Sequence, residues 1–219
     1  MLYKKEKNFF LLHRESLLTT LVALACLGLF TFFPASGALQ MITSGLIFFC
    51  VIPLLYLKFI LHKDLHDFGF QVGDRKVGIT FSLLYLASAF LICLLLFHYT
   101  AFAKGYYLPK AVSGNFGYFV FYELVLSGIF VALYEIFFRG FAMFSLAAKT
   151  GFYAIFYQFL LIFLFLWSTE NLNWNSVPVL ITAAFSGLTT YKSRSLIYSF
   201  VSSLFFLIIL DTLAIKFAH

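Results

Sequence analysis

The stretch LYEIFFRGFAMF, residues 133–144, sets Glu135 and Arg139 four residues apart inside an apolar run that extends over 116–146. On a helix that spacing puts carboxylate and guanidinium on one face, one turn apart. A lone charge deep in a bilayer costs at least ~2.5–3.5 kcal/mol, so an inward-facing pair is the minimal way to keep both. A carboxylate withdrawn from water can act as a general base, and a second polar group beside it can hold a water or steady a developing oxyanion. The same pair could instead serve only to pin neighbouring helices together, and the spacing alone leaves both roles open.

Other reactive side chains are more easily read as structural. Glu123 opens the same apolar run and is expected at an interface, and Asp211 is expected near the wet end of the last apolar run. His62 and His66, at i,i+4 beside Asp64 and Asp67, could ligate a metal if helical, but flanking Gly69 and Gly73 point to a solvated turn. His98 reads as an interfacial polar residue. Cys26, Cys50 and Cys93 stand apart inside apolar runs, without metal-ligand spacing, and read as small buried hydrophobes. No cofactor or metal is expected.

The elements that must carry Glu135 and Arg139 follow from composition. Hydrophobic residues make up 63% of the 219 and charged residues 11%, and the mean hydropathy is +0.97. Such a chain reads as an integral membrane protein. Its apolar stretches are continuous over about 20 residues rather than alternating, which excludes a barrel and predicts an all-α polytopic helical bundle. About seven spans, within a range of six to eight, are predicted at 16–33, 40–61, 77–99, 116–146, 152–167, 177–191 and 195–215. At ~46 Å of helix, the fourth must tilt, break near Gly128 or begin outside the bilayer. Residues 1–15 read as a cytosolic amphipathic lead-in without a signal-peptide cleavage site, 16–115 as scaffold helices, and 116–219 as the core that holds the pair.

Charge placement gives an expected orientation. With the N-terminus cytosolic, eleven Lys and Arg residues fall on the inner side, and only Lys104, Lys110 and Lys216 fall outside. That predicts a multi-pass protein of the inner (plasma) membrane. The net charge of +6 is spread over inter-helix segments, so membrane lipid rather than nucleic acid is the expected partner. Small residues Ala183, Ala184, Ser186 and Gly187 predict close helix approach, and Trp167 and Trp174 predict an aromatic belt around the 168–178 connection.

The local pattern YEIFFRGF resembles the EEIFFRGF signature of the CPBP family, the CAAX-prenyl-protease and bacteriocin-processing membrane proteins also called Abi proteins. The similarity covers roughly residues 127–210. It implies an intramembrane endopeptidase whose paired glutamates activate a water, with the motif arginine organising them. A histidine on the next helix, and a histidine and an asparagine on the last, complete that family's site. In this chain Tyr134 replaces the first glutamate and leaves Glu135 and Arg139 as the catalytic candidates. Thr169 and Ser203 stand where the two histidines belong, Ser199 where a proline belongs and Leu207 where the asparagine belongs. Hydroxyls around a single carboxylate make a poor metal site.

The resemblance therefore implies a CAAX-type or bacteriocin-processing and self-immunity hydrolase whose proteolysis is lost or altered. Its partner would be a membrane-anchored peptide or another membrane protein. A non-catalytic binding or scaffold protein and a small transporter component are the alternatives.

Overall fold

The structure, a computed structural model, describes residues 2–34 and 37–217. Among them every regular element is helical. Seven principal helices follow in order: α1 Leu2–Phe32, α2 Ala38–Ile60, α3 Arg75–Tyr99, α4 Phe116–Thr150, α5 Tyr153–Ser168, α6 Val177–Ser193 and α7 Leu196–Phe217. Five regions are long and apolar enough to cross a membrane: 14–32 of α1, α2, α3, α4 and 196–216 of α7. At 16 and 17 residues, α5 and α6 fall short of that length.

Polar caps mark where these apolar helices begin and end. Asp74 accepts from the Val77 amide at 3.1 Å and starts α3. Asn115 accepts from the Tyr118 amide at 3.0 Å and starts α4. Such caps satisfy amides that the first turn leaves without partners and are each worth about 1 kcal/mol. Gly151, at φ 58°, ends α4, and Arg194, at φ 57°, ends α6. The lead-in expected over 1–15 is not a separate element from residue 2 onward, because α1 runs through it into the first apolar stretch.

Of the three ways in which the long fourth run could be accommodated, a break at Gly128 is not the one found. α4 is continuous for 35 residues. It departs from α geometry instead at two stretches with i→i+5 bonding, Tyr122–Ser127 and Glu135–Met143. Gly128 lies between them and faces Leu204 of α7.

The two ends of the bundle are tied by different chemistry. At one, the segment after α2 folds onto the turn between α6 and α7: Asp74 N donates to Ser193 O (3.0 Å), Leu196 N to Gly69 O (3.0 Å) and Ser195 Oγ to Gln71 O (2.6 Å). Gly73 makes this approach possible, since at φ 60° a Cβ there would sit 2.1 Å from Ser193 O. At the other end, the 100–114 connection packs on the 169–176 connection. Asn175 bonds both main-chain groups of Tyr107 at 2.9 Å, and Trp174 lies over Gly105 and Phe102.

Between the ends, aromatic rings fill the centre. Phe49 of α2 meets Phe137 and Phe138 of α4 and Phe165 of α5 at centroid distances of 4.8, 6.2 and 5.8 Å. The close approach predicted around Gly187 is found between α5 and α6. Gln158, fully buried, lies against Gly187 and donates from Nε2 to Ala183 O at 2.7 Å.

Candidate functional site

Glu135 begins the second i→i+5 stretch of α4, and nearly all of that stretch is buried. Widened turns of this kind re-aim side chains and are frequent at functional sites. Here the carboxylate points across to α7. Ser199 Oγ donates to Oε2 at 2.7 Å and Ser203 Oγ to Oε1 at 3.3 Å. Ser199 accepts in turn from Thr190 Oγ1 of α6 at 2.6 Å, and Ser203 accepts from the Tyr85 hydroxyl of α3 at 3.2 Å. Hydroxyl groups from three helices, α3, α6 and α7, thus converge on one carboxylate of α4.

Arg139 is the charge partner, with Nε 4.0 Å from Glu135 Oε1. Its Nη1 donates to the Tyr134 carbonyl at 3.4 Å, while the buried Nε has no hydrogen-bond partner among the described residues. Both side chains are 2% exposed, so as an ion pair each offsets the desolvation of the other.

Glu135, Arg139 and Ser203 share the wall of a cavity of about 360 Å³. The rest of that wall is mostly apolar and includes Ile42 of α2, Leu126 and Phe130 of α4, Val179 of α6 and Leu207 of α7. A second cavity, about 490 Å³, lies toward the 169–176 connection and is lined by Thr169, Asn171, Asn173 and Asn175 together with Phe49 and Phe165. Phe130, Tyr134 and Val179 line both cavities and form the wall between them.

Thr169 therefore lies on the far side of Tyr134 from Glu135. Its hydroxyl donates within its own helix end, to Phe165 O at 3.0 Å or Leu166 O at 3.3 Å. Tyr134 itself packs as an aromatic residue against Phe138 and Phe165, at 5.5 and 6.3 Å. Of the positions aligned with the family motif, Glu135, Arg139, Ser199 and Ser203 are brought together, and Thr169 is not.

Glu123 and Asp211 differ from their expected surroundings. Glu123 is 1% exposed and Asp211 5%, so neither stands at a wet interface. The two carboxyls meet each other across α4 and α7. Tyr106, in the connection after α3, donates to Asp211 Oδ1 at 2.5 Å. Burial, reinforced by Asp211, raises the Tyr106 hydroxyl far above its ordinary range and keeps it a donor.

Equal steps along the antiparallel helices, from Glu135 back to Glu123 and from Ser199 on to Asp211, give both contacts one register. The carboxyl pair is ~18 Å from Glu135 along the seam. Glu123 thus does not replace the absent first glutamate.

His62 and His66 lie at a non-helical turn and a short 3₁₀ turn, and the described residues contain no group of three His, Cys, Asp or Glu side chains suited to a metal. Thr190 of α6 and Tyr85 of α3 had no place in the sequence reading, although each bonds a serine that holds Glu135. No family model, no curated protein and no solved structure matches the chain.

Proposed function

We propose that this chain is a seven-pass inner-membrane protein built on the plan of the CPBP endopeptidases, with a cavity that receives a membrane-anchored peptide or similar apolar chain. The family's water-activating chemistry is altered in it. The observation that carries this reading is the set of partners on Glu135: two serine hydroxyls and one guanidinium occupy the positions around the carboxylate. A water held there would face hydroxyl groups rather than the second carboxylate and imidazoles that the family pattern supplies.

The motif residues 135–141, the apolar cavity wall and the convergence of α4 and α7 on Glu135 support the family assignment. Seven passes follow if α5 and α6 also cross. At about 24–26 Å they would need local thinning of the bilayer or flanking residues that reach to the interfaces. The clustering of basic residues in the connections at the Gly69–Arg194 end supports placing that end, and the N-terminus, in the cytosol.

The test is photo-crosslinking in proteoliposomes with a prenylated peptide that carries a diazirine. Wild type and Glu135→Gln should crosslink equally without cleaving the peptide, and Val131→Trp, which fills the cavity, should abolish the crosslink. Peptide cleavage that disappears in Glu135→Gln would replace this reading with retained proteolysis. Absence of any crosslink in wild type would remove the binding role.

A further inference from the structure

We propose that Ser203 is an acylatable nucleophile, with Glu135 as its base and Arg139 as donor to the developing oxyanion, acting on an ester or thioester carried by an apolar chain. The inference rests on the reading of the cavity as a site for such chains, and adds a covalent step to it.

Three requirements of acyl transfer meet on one wall. Ser203 Oγ has its hydrogen directed at Glu135 Oε1, 3.3 Å away, which is a nucleophile–base alignment. The Tyr85 hydroxyl donates to the same oxygen at 3.2 Å and fixes the rotation of the serine. Ser199, itself held by Thr190, anchors the other carboxylate oxygen, so the base has an orienting group of its own. Arg139 lines the same cavity with a buried Nε–H that no acceptor among the described residues satisfies. A donor without an acceptor, on the cavity wall that also carries the nucleophile, is what a carbonyl oxygen gaining negative charge requires.

The substrate class follows from the remaining wall. Ile42, Leu126, Phe130, Val131 and Leu207 make most of it apolar, with hydroxyls only at Tyr122, Ser127, Tyr134 and Thr182, so the group beyond the carbonyl is mainly hydrocarbon.

The step balances with the acyl donor and water as reactants. Ser203 Oγ bonds to the carbonyl carbon, its proton passes to Glu135, and the carbonyl electron pair moves onto the oxygen facing Arg139. Collapse of that intermediate breaks the C–O or C–S bond, and the departing oxygen or sulfur takes the proton from Glu135. Water then attacks the acyl carbon and gives its proton to Glu135. Ser203 Oγ leaves, recovers that proton, and a carboxylic acid is released.

The full-length protein in detergent, treated with an alkyl fluorophosphonate, tests this without knowledge of the natural acyl donor. A covalent adduct located on Ser203 by mass spectrometry is expected, unchanged in Ser202→Ala, lost in Ser203→Ala and slowed ~10²-fold or more in Glu135→Gln. Circular dichroism and thermal unfolding report whether each variant is folded. Wild-type protein that forms no adduct, an adduct on another residue, or an adduct on Ser203 at an unchanged rate in folded Glu135→Gln overturns the proposal. Because the wild-type result is decisive alone, a variant that fails to fold does not protect the idea. Peptide crosslinking without an adduct removes the nucleophile and leaves the binding cavity standing; absence of both removes both.

Discussion

Ser199 Oγ lies 2.7 Å from Glu135 Oε2, so α7 meets α4 here through a buried hydrogen bond to a carboxylate. Such bonds contribute about 1.5–3 kcal/mol, and a carboxylate that loses one in a dry setting cannot recover it from solvent. Ser199→Ala should therefore lower the unfolding temperature in detergent by several degrees, whereas Ser199→Thr, which keeps the hydroxyl, should retain most of the stability.

The Glu135–Arg139 pair gives a sign test that distinguishes mutual compensation from independent contributions. Arg139→Met leaves a buried carboxylate without its charge partner and should cost about 3–5 kcal/mol, while Glu135→Gln/Arg139→Met removes both charges and should recover a large part of that loss. Thermal unfolding of the two single variants and the double variant measures the coupling. Additive losses would show that the 4.0 Å separation contributes no coupling.

The carboxyl pair of Glu123 and Asp211 gives a test of a different kind. Two neighbouring buried carboxyls cannot both ionise without mutual repulsion, so they hold one proton between them. Glu123→Gln keeps the shape and a donor toward Asp211 and should change stability by less than about 1 kcal/mol, whereas Glu123→Leu, which leaves Asp211 without that donor, should lower it by about 1–3 kcal/mol. Tyr106→Phe removes the donor to Asp211 and should lower it. All are read by thermal unfolding at neutral pH.

A packing prediction concerns the end where the 100–114 and 169–176 connections meet. A Cβ at Gly105 would sit 1.9 Å from Trp174 Cδ1. Gly105→Ala must displace the indole, at a cost of about 1–3 kcal/mol. Limited proteolysis should then cut the 169–176 connection faster than in wild type.

What the sequence makes legible here is what depends on neighbours along the chain. Helical class and the approximate runs of α1 to α4 and α7 follow from continuous apolar stretches. The facing of Glu135 and Arg139 follows from i,i+4 spacing. Ser203 could be placed near Glu135 only because a family-like pattern linked two distant stretches.

The rest depends on register between helices far apart in sequence. Thr190 and Tyr85 reach the site through α6 and α3, and neither hydroxyl is distinguished locally from others on the same helices. Glu123 and Asp211 each read as a residue near water because each stands toward the end of an apolar run. Their contact exists because α4 and α7 run antiparallel in the register already set by Glu135 and Ser199. A break at Gly128, one of three ways to accommodate the long run, is absent, and i→i+5 turns on either side change the facing without interrupting the helix. Thr169 failed to reach Glu135 because Tyr134, read as the place of a lost acid, is also a bulky ring set among aromatic neighbours.

That ring has a further effect on what the molecule can admit. It stands, with Phe130 and Val179, between a compartment edged with asparagine amides and one that ends at Glu135. A glutamate in its place would leave the partition thinner. With Tyr134 the partition is an aromatic ring braced by Phe138 and Phe165, which keeps the amide-lined vestibule and the buried carboxylate as separate compartments.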